Sequence, residues 1–214
     1  MIKRSLAASV AGALVATAVA AAPLAPAQSE APAKGTDSLA ALLGADGQEL
    51  DDNWKDFDIT EAAVLTVIGA KPKSPLLALT KGNKALTAFI PTDMAFRKLV
   101  ADLTGATPAT EQATVDALLE IADVDTIEAV LLYHVVDGAT LDSGDVVAAA
   151  KARTKVTTAS GVTFRVTLKN RKVVIVDKDR DDADAKAITK ALDLNEGNRQ
   201  IAHGINRVLR PLDL

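Results

Sequence analysis

The chain has no cysteine, and its 214 residues include only one Trp, one Tyr and four Phe. Without cysteine no disulfide can brace the fold, which must stand on its core, and a cysteine-linked lipid anchor is excluded. Two histidines, with no Cys beside them and no HExxH spacing, do not make a zinc site. So few aromatics leave little for a platform that stacks sugars or bases. The formal net charge is −4, and removal of a basic leader carrying Lys3 and Arg4 lowers it by two, to −6. Scattered bases on an acidic chain lack the electrostatic footprint of a nucleic-acid binder. There is no GxSxG, no GxGxxG and no phosphate-cradling loop, and no sequence rule pairs two carboxylates as an acid–base couple.

One long uncharged run is present, over residues 5–22, rich in Ala and preceded by Lys3 and Arg4. With Ala25-Pro26-Ala27 ahead of Gln28, residues 1–27 read as a secretory signal, Ala18-Val19-Ala20 being an earlier cleavage option. The run is near the minimum for spanning a bilayer, but it is dominated by Ala, which favours cleavage over an uncleaved anchor. Residues 28–37, rich in Ala, Pro and Ser at their start, read as a flexible linker. Residues 38–214 fit a single domain.

Within that domain the stretch TAFIPTDMAF, residues 87–96, is the most informative. Leu86, Ala88 and Ile90 alternate with Thr87 and Phe89, the period of a strand with two different faces. Pro91 lacks the amide a central ladder needs, and Thr92 is placed to cap a helix carrying Phe96, Leu99, Val100 and Leu103 inward. Capping-box-like starts at Asp58 and Asp125 predict helices over residues 58–68 and after 125, the second placing Ile127, Val130, Leu131 and His134 on one face. A further helix carries Val115, Leu118, Leu119 and Ala122 on one face. After Gly138 the chain reads as mainly β: a hairpin over residues 162–176, turning at Lys169-Asn170-Arg171, and a closing strand over 201–209 ended by Pro211. Helices first and strands later, with strand 86–90 in the sheet, argue an α+β fold.

Three segments in this order, residues 87–96, LLYHVVDG over 131–138 and IAHGINRVLRP over 201–211, resemble the fasciclin domain family, in its single-domain secreted bacterial type. The matching positions are Pro91, Thr92, Asp93 and Phe96, then Tyr133-His134, then His203, Ile205, Val208, Leu209 and Pro211. Asn206 stands where Asp is usual and Arg199-Gln200 where Asn-Gly is common, which puts the turn before His203 in doubt. The resemblance implies a β-wedge or sandwich with helices packed on one side. It also implies an extracellular, non-enzymatic module for cell adhesion, with the Tyr-His region as a receptor contact. The expected partner is a cell-surface or matrix protein or polysaccharide, with no cofactor, a monomeric state, and secretion with or without retention at the cell wall. The alternative is a carrier for a small apolar ligand such as a lipid.

Tyr133, one step round the helix from the apolar face, and the turn Asp137-Gly138 are the candidate binding residues. His134, His203, Pro91, Thr92, Asp93, Phe96 and Pro211 read as structural, with His134 a buried imidazole hydrogen-bonded to backbone. On this reading His134→Ala lowers the melting temperature more than Tyr133→Ala. Asp177, Asp179 and Asp181 have calcium-loop spacing, but Asp182 replaces the turn glycine and Ile188 the final Glu, so the loop reads as a solvated turn and no metal is expected. Trp54 is the one aromatic expected near the surface.

Overall fold

The computed structural model describes residues 34–45, 47 and 49–211. The expected signal, residues 1–27, and most of the linker lie outside the described residues. The last part of that linker belongs to the fold. Gly35 N donates to Gly197 O at 2.8 Å and Gly35 O accepts from Arg199 N at 3.0 Å. Thr36 lies so close to Gly82 that a Cβ there would sit 1.7 Å from the Thr36 carbonyl oxygen, so only glycine fits.

The order is α1 (Leu39–Leu43), α2 (Asp58–Ala70), a 3₁₀ turn (Pro75–Thr80), β1 (Leu86–Pro91), α3 (Asp93–Thr104), α4 (Glu111–Ile121), α5 (Val124–Tyr133) and β2 (Val135–Asp137). Then come α6 (Ser143–Ala152), β3 (Lys155–Thr157), β4 (Thr163–Lys169), β5 (Lys172–Val176), β6 (Ala185–Lys186), a 3₁₀ turn (Thr189–Ala191) and β7 (Gln200–Ile205). One sheet has the order β2-β1-β7 and the other β3-β4-β5-β6. The fold is α+β.

β1 is the pivot. It pairs parallel with β7, Phe89 opposite His203, and antiparallel with β2, Ala88 opposite Val135. Every residue of β1 is buried, because both of its faces carry a core. Leu86, Ala88 and Ile90 pack with Leu39, Val64, Val67 and Leu131 from α1, α2 and α5. Phe89, on the other face, packs with Tyr133, Phe164, Ile175, Ile205 and Leu209. Phe164 is the hub there, edge-on to Phe89 at 5.4 Å and to Tyr133 at 5.9 Å. Each such pair adds about 0.5–1.5 kcal/mol beyond area burial.

The hairpin turn is type I′, with Asn170 and Arg171 both at positive φ (52° and 62°), the twist that matches two-residue hairpins. Several boundaries differ from expectation. α6 is a helix inside the stretch read as β; Asp142 and Asp145 form its capping box, and Val146 and Ala150 reach the second core. The cap of α5 is Asp123, two residues before the box seen at Asp125, because its carboxylate reaches Thr126 N at 2.8 Å. β7 stops at Ile205, before the expected 209. Leu103 and Leu119 are 42% and 50% exposed, at the outer edges of their helix faces.

Candidate functional site

Most of the motif side chains are spent on holding the fold. Thr60 Oγ1 donates to Pro91 O at 2.9 Å, and Asp93 Oδ1 accepts from Ile59 N at 2.9 Å. Asp93 therefore caps α2 from another helix, where the N-cap position is held by Phe57 and Asp58 is already the first helical residue. Thr92 occupies the N-cap position of α3, but its hydroxyl caps nothing. The turn before α2 does that work: Asp56 O accepts from Asp93 N at 3.1 Å and Trp54 O from Met94 N at 3.0 Å. Trp54 is half-buried, with the Arg97 guanidinium 4.6 Å above its ring. Phe96 packs beside Ile59 and Val208, and Pro211 is half-buried.

His134 is buried with both ring nitrogens engaged. Nδ1 lies 2.7 Å from Val130 O and Nε2 accepts from Leu209 N at 2.8 Å, so the proton is on Nδ1. Burial pushes its pKa down to about 4, leaving a neutral ring. His203, fully buried in β7, has Nε2 2.9 Å from Leu141 O while Nδ1 accepts from Asp193 N at 3.3 Å. Burial lowers its pKa as well. Both imidazoles are buried and hydrogen-bonded to backbone groups.

Tyr133 corrects the sequence reading. It is 0% exposed, in the aromatic cluster below β1, with its hydroxyl donating to Thr163 O at 3.2 Å. The helix ends at Tyr133, and the side chain turns under the sheet rather than outward. Burial raises its phenol pKa. Asp137 and Gly138 are exposed; Gly138 has φ +80° and its N–H donates to Ala85 O at 2.9 Å, which fixes the turn.

The acidic loop is also not the freely solvated turn expected. Asp179 is buried and pairs with the buried Arg210 at 2.6 Å, and Asp177 Oδ2 accepts from Arg210 N at 2.8 Å. Burial pushes Asp177 up to about 6. Arg210, from the C-terminal segment, supplies the positive charge that Asp179 needs. A wider space of about 740 Å³ beside this loop and β4 is lined by both signs of charge, including Lys155, Arg165, Asp177 and Asp182.

The apolar opening lies elsewhere, between α2, α3, α4 and α5. Ala63, Leu99, Val115, Leu118, Ile127 and Val130 line a groove of about 80 Å³. Leu119 stands exposed on its wall, and Leu65 and Leu103 are exposed on α2 and α3. The sequence shows these helix faces as core stripes; that the stripes leave a gap follows only from how four helices meet. Two sets of carboxylates also come close enough to hold a metal ion, Asp51-Asp56-Asp58 and Asp56-Asp93-Glu111. Burial and the Asp56 carboxyl beside it raise Asp93 to about 9, and burial raises Glu111.

The fasciclin domain family model matches residues 68–211. The chain belongs to the fasciclin domain family. Among solved structures, this fasciclin domain is similar to a FAS1 domain pair from the insect cell adhesion molecule fasciclin I, at 16% identity and a TM-score of 0.50. The match covers 71% of this chain and 46% of that one, so the chain spans about half of that domain pair. Comparison with curated proteins gives no match. Fasciclin domains are adhesion-type, non-enzymatic modules, typically extracellular or at the cell surface. Among the described residues no helix is long and apolar enough to cross a membrane.

Proposed function

We propose that this fasciclin domain is an exported, non-enzymatic contact module, and that it grips a partner protein through the groove between α2, α3, α4 and α5. The volume of that groove carries the reading. Small-molecule pockets usually offer roughly 300–1,000 Å³ and enclose most of their ligand. A groove of about 80 Å³ accommodates an apolar side chain or two. Exposed Leu119, Leu65 and Leu103 on neighbouring helix surfaces add the apolar contact area that a protein partner would cover. The volume disfavours the carrier of a lipid. A polysaccharide would ask for exposed aromatics, and the aromatic cluster of this domain is internal. Tyr133 contributes by fixing the end of α5, and the Asp137-Gly138 turn lies apart from the groove lining.

The test is adhesion of cells of the producing organism to surfaces coated with the purified domain. Leu119→Lys places a charge on the groove wall at a half-exposed position and leaves the fold intact, as its circular dichroism will show. Retention of cells by the unaltered domain and at least a tenfold loss with Leu119→Lys support the reading. Equal retention by both proteins removes the groove from it, and lipid co-purifying in stoichiometric amount restores the carrier.

A further inference from the structure

We propose that Asp56, Asp93 and Glu111 form a binding site for a divalent cation, calcium by its all-oxygen donor set. The three come from separate segments: Asp56 from the turn before α2, Asp93 from the first position of α3 and Glu111 from the first position of α4. One carboxylate oxygen of each lies within 4.8 Å of the others. That spread matches oxygens around one calcium ion, whose ligands sit at about 2.3–2.6 Å.

The carboxylates are held as metal ligands are held, by hydrogen bonds behind them. Asp93 Oδ1 accepts from Ile59 N at 2.9 Å. Glu111 Oε2 accepts from Asp52 N at 2.9 Å, and Asp52 Oδ1 accepts in return from Glu111 N at 2.9 Å. Each carboxylate is then left with one buried oxygen that has no partner: Asp93 Oδ2, Glu111 Oε1 and Asp56 Oδ1. Asp93 and Glu111 are both 0% exposed, so water does not relieve them at the surface. Unpartnered carboxylate oxygens at such depth are costly, and the three carboxylates that carry them come together in one place. No ion pair among the described residues involves Asp56, Asp93 or Glu111.

An approach path exists. Asp56 is half-buried and belongs also to the group Asp51-Asp56-Asp58, whose Asp51 is exposed. A cation reaching Asp51 from solvent can pass inward through Asp56. Hard, oxygen-only donors select calcium or magnesium over zinc or copper, and three carboxylates from a turn and two helices suit the irregular shell of calcium better than the strict octahedron of magnesium. The rival arrangement is a proton shared between Asp56 and Asp93, with no cation.

The test uses the exported chain freed of metal by a chelator, titrated with calcium and, separately, magnesium, and read by calorimetry and thermal unfolding. Asp93→Asn keeps the Oδ1 that caps α2 but removes the charge, and Glu111→Gln is the second variant should the first fail to fold. A saturable rise in melting temperature with calcium, with affinity in the range of about 10⁻⁴–10⁻³ M found for extracellular modules, and its loss in either variant, establish the site. Absence of saturable heat or shift up to about 10 mM calcium overturns it; Asp93→Asn then raising the melting temperature assigns the cluster to the shared proton. A wild-type response retained by both variants places the calcium elsewhere and overturns it equally.

Discussion

His134 Nε2 accepts the backbone N–H of Leu209 at 2.8 Å, across 75 residues of sequence. The second half of the family's Tyr-His pair thereby anchors the segment that follows β7, beneath the helices. Its neighbour Tyr133 packs under β1 with Phe164, in the core that Leu209 also enters. The pair ties the end of α5 to the C-terminal segment.

The order of the two alanine substitutions follows from that placement. Tyr133→Ala empties a fully buried aromatic site and costs about 3–5 kcal/mol. His134→Ala leaves the Leu209 N–H unpaired and a smaller cavity, about 2–4 kcal/mol. The structure therefore predicts the opposite order to the one expected from periodicity, with Tyr133→Ala the more damaging. Tyr133→Phe, which removes only the bond to Thr163, costs about 1 kcal/mol. Chemical denaturation of the three variants checks the series, and a Tyr133→Ala loss below that of His134→Ala contradicts the packing described.

Stability should fall in acid through His134. Its folded pKa of about 4 lies below the reference 6.5. Between those values the unfolded chain binds the proton and the folded one does not, so stability declines as pH drops from 6.5 to 4 and is complete above 6.5. The gap corresponds to a loss of roughly 3 kcal/mol. His203 acts in the same direction. In His134→Gln, which can still donate and accept, the slope of unfolding free energy against pH over this window should be shallower. Identical slopes in the two proteins would rule out His134 as the source.

The strand at 86–90, the hairpin and the burial of both histidines were legible in the sequence, because alternation and turn residues are local signals. α6 was not. Its Ala-rich stretch has no wide apolar stripe; Val146 and Ala150 are buried in the second core and Val147 packs partly against it. Tyr133 was misread because a helical wheel does not say where the helix ends, and at a C-terminal position the chain direction changes. Asp56, Glu111 and Arg210 carry ordinary surface residue types. Their burial comes from contacts with residues far along the chain, which periodicity cannot register.

Arg210 is the clearest of these cases. Its guanidinium is 6% exposed and its partner carboxylate on Asp179 2%. Burial acts to raise the Asp179 pKa, but hydrogen bonds from Asp181 and Arg210 hold it below the usual carboxylate range. Arg210→Ala strands that buried charge and should cost about 3–5 kcal/mol. Arg210→Met combined with Asp179→Leu removes both charges and should recover most of the loss. A double-mutant cycle in denaturant measures it; a double variant as unstable as Arg210→Ala would show that the packing of the Arg210 stem, and not the stranded charge, is responsible.

Gln200 stands where glycine is common in the family's pattern, and the turn before His203 looked uncertain for that reason. The residue is fully buried at the start of β7 and satisfies three backbone groups at once. Its Oε1 accepts from Leu39 N at 2.8 Å, and its Nε2 donates to Ala78 O at 2.8 Å and Lys81 O at 2.9 Å. One side chain thus ties α1 and the first 3₁₀ turn to the sheet, so the departure from the pattern adds an anchor for the N-terminal segment. Gln200→Leu keeps comparable bulk but leaves the Leu39 N–H unpaired, while Ala78 O and Lys81 O keep the bonds they accept from Lys81 N and Lys84 N. A buried donor left without a partner costs about 1–3 kcal/mol. Hydrogen exchange adds a sharper readout than the melting temperature, because the Leu39 amide should lose protection selectively while those of β1 keep theirs. Uniform loss across both elements would mean that α1 and β1 unfold as one unit, and that Gln200 holds the whole domain rather than its N-terminal edge.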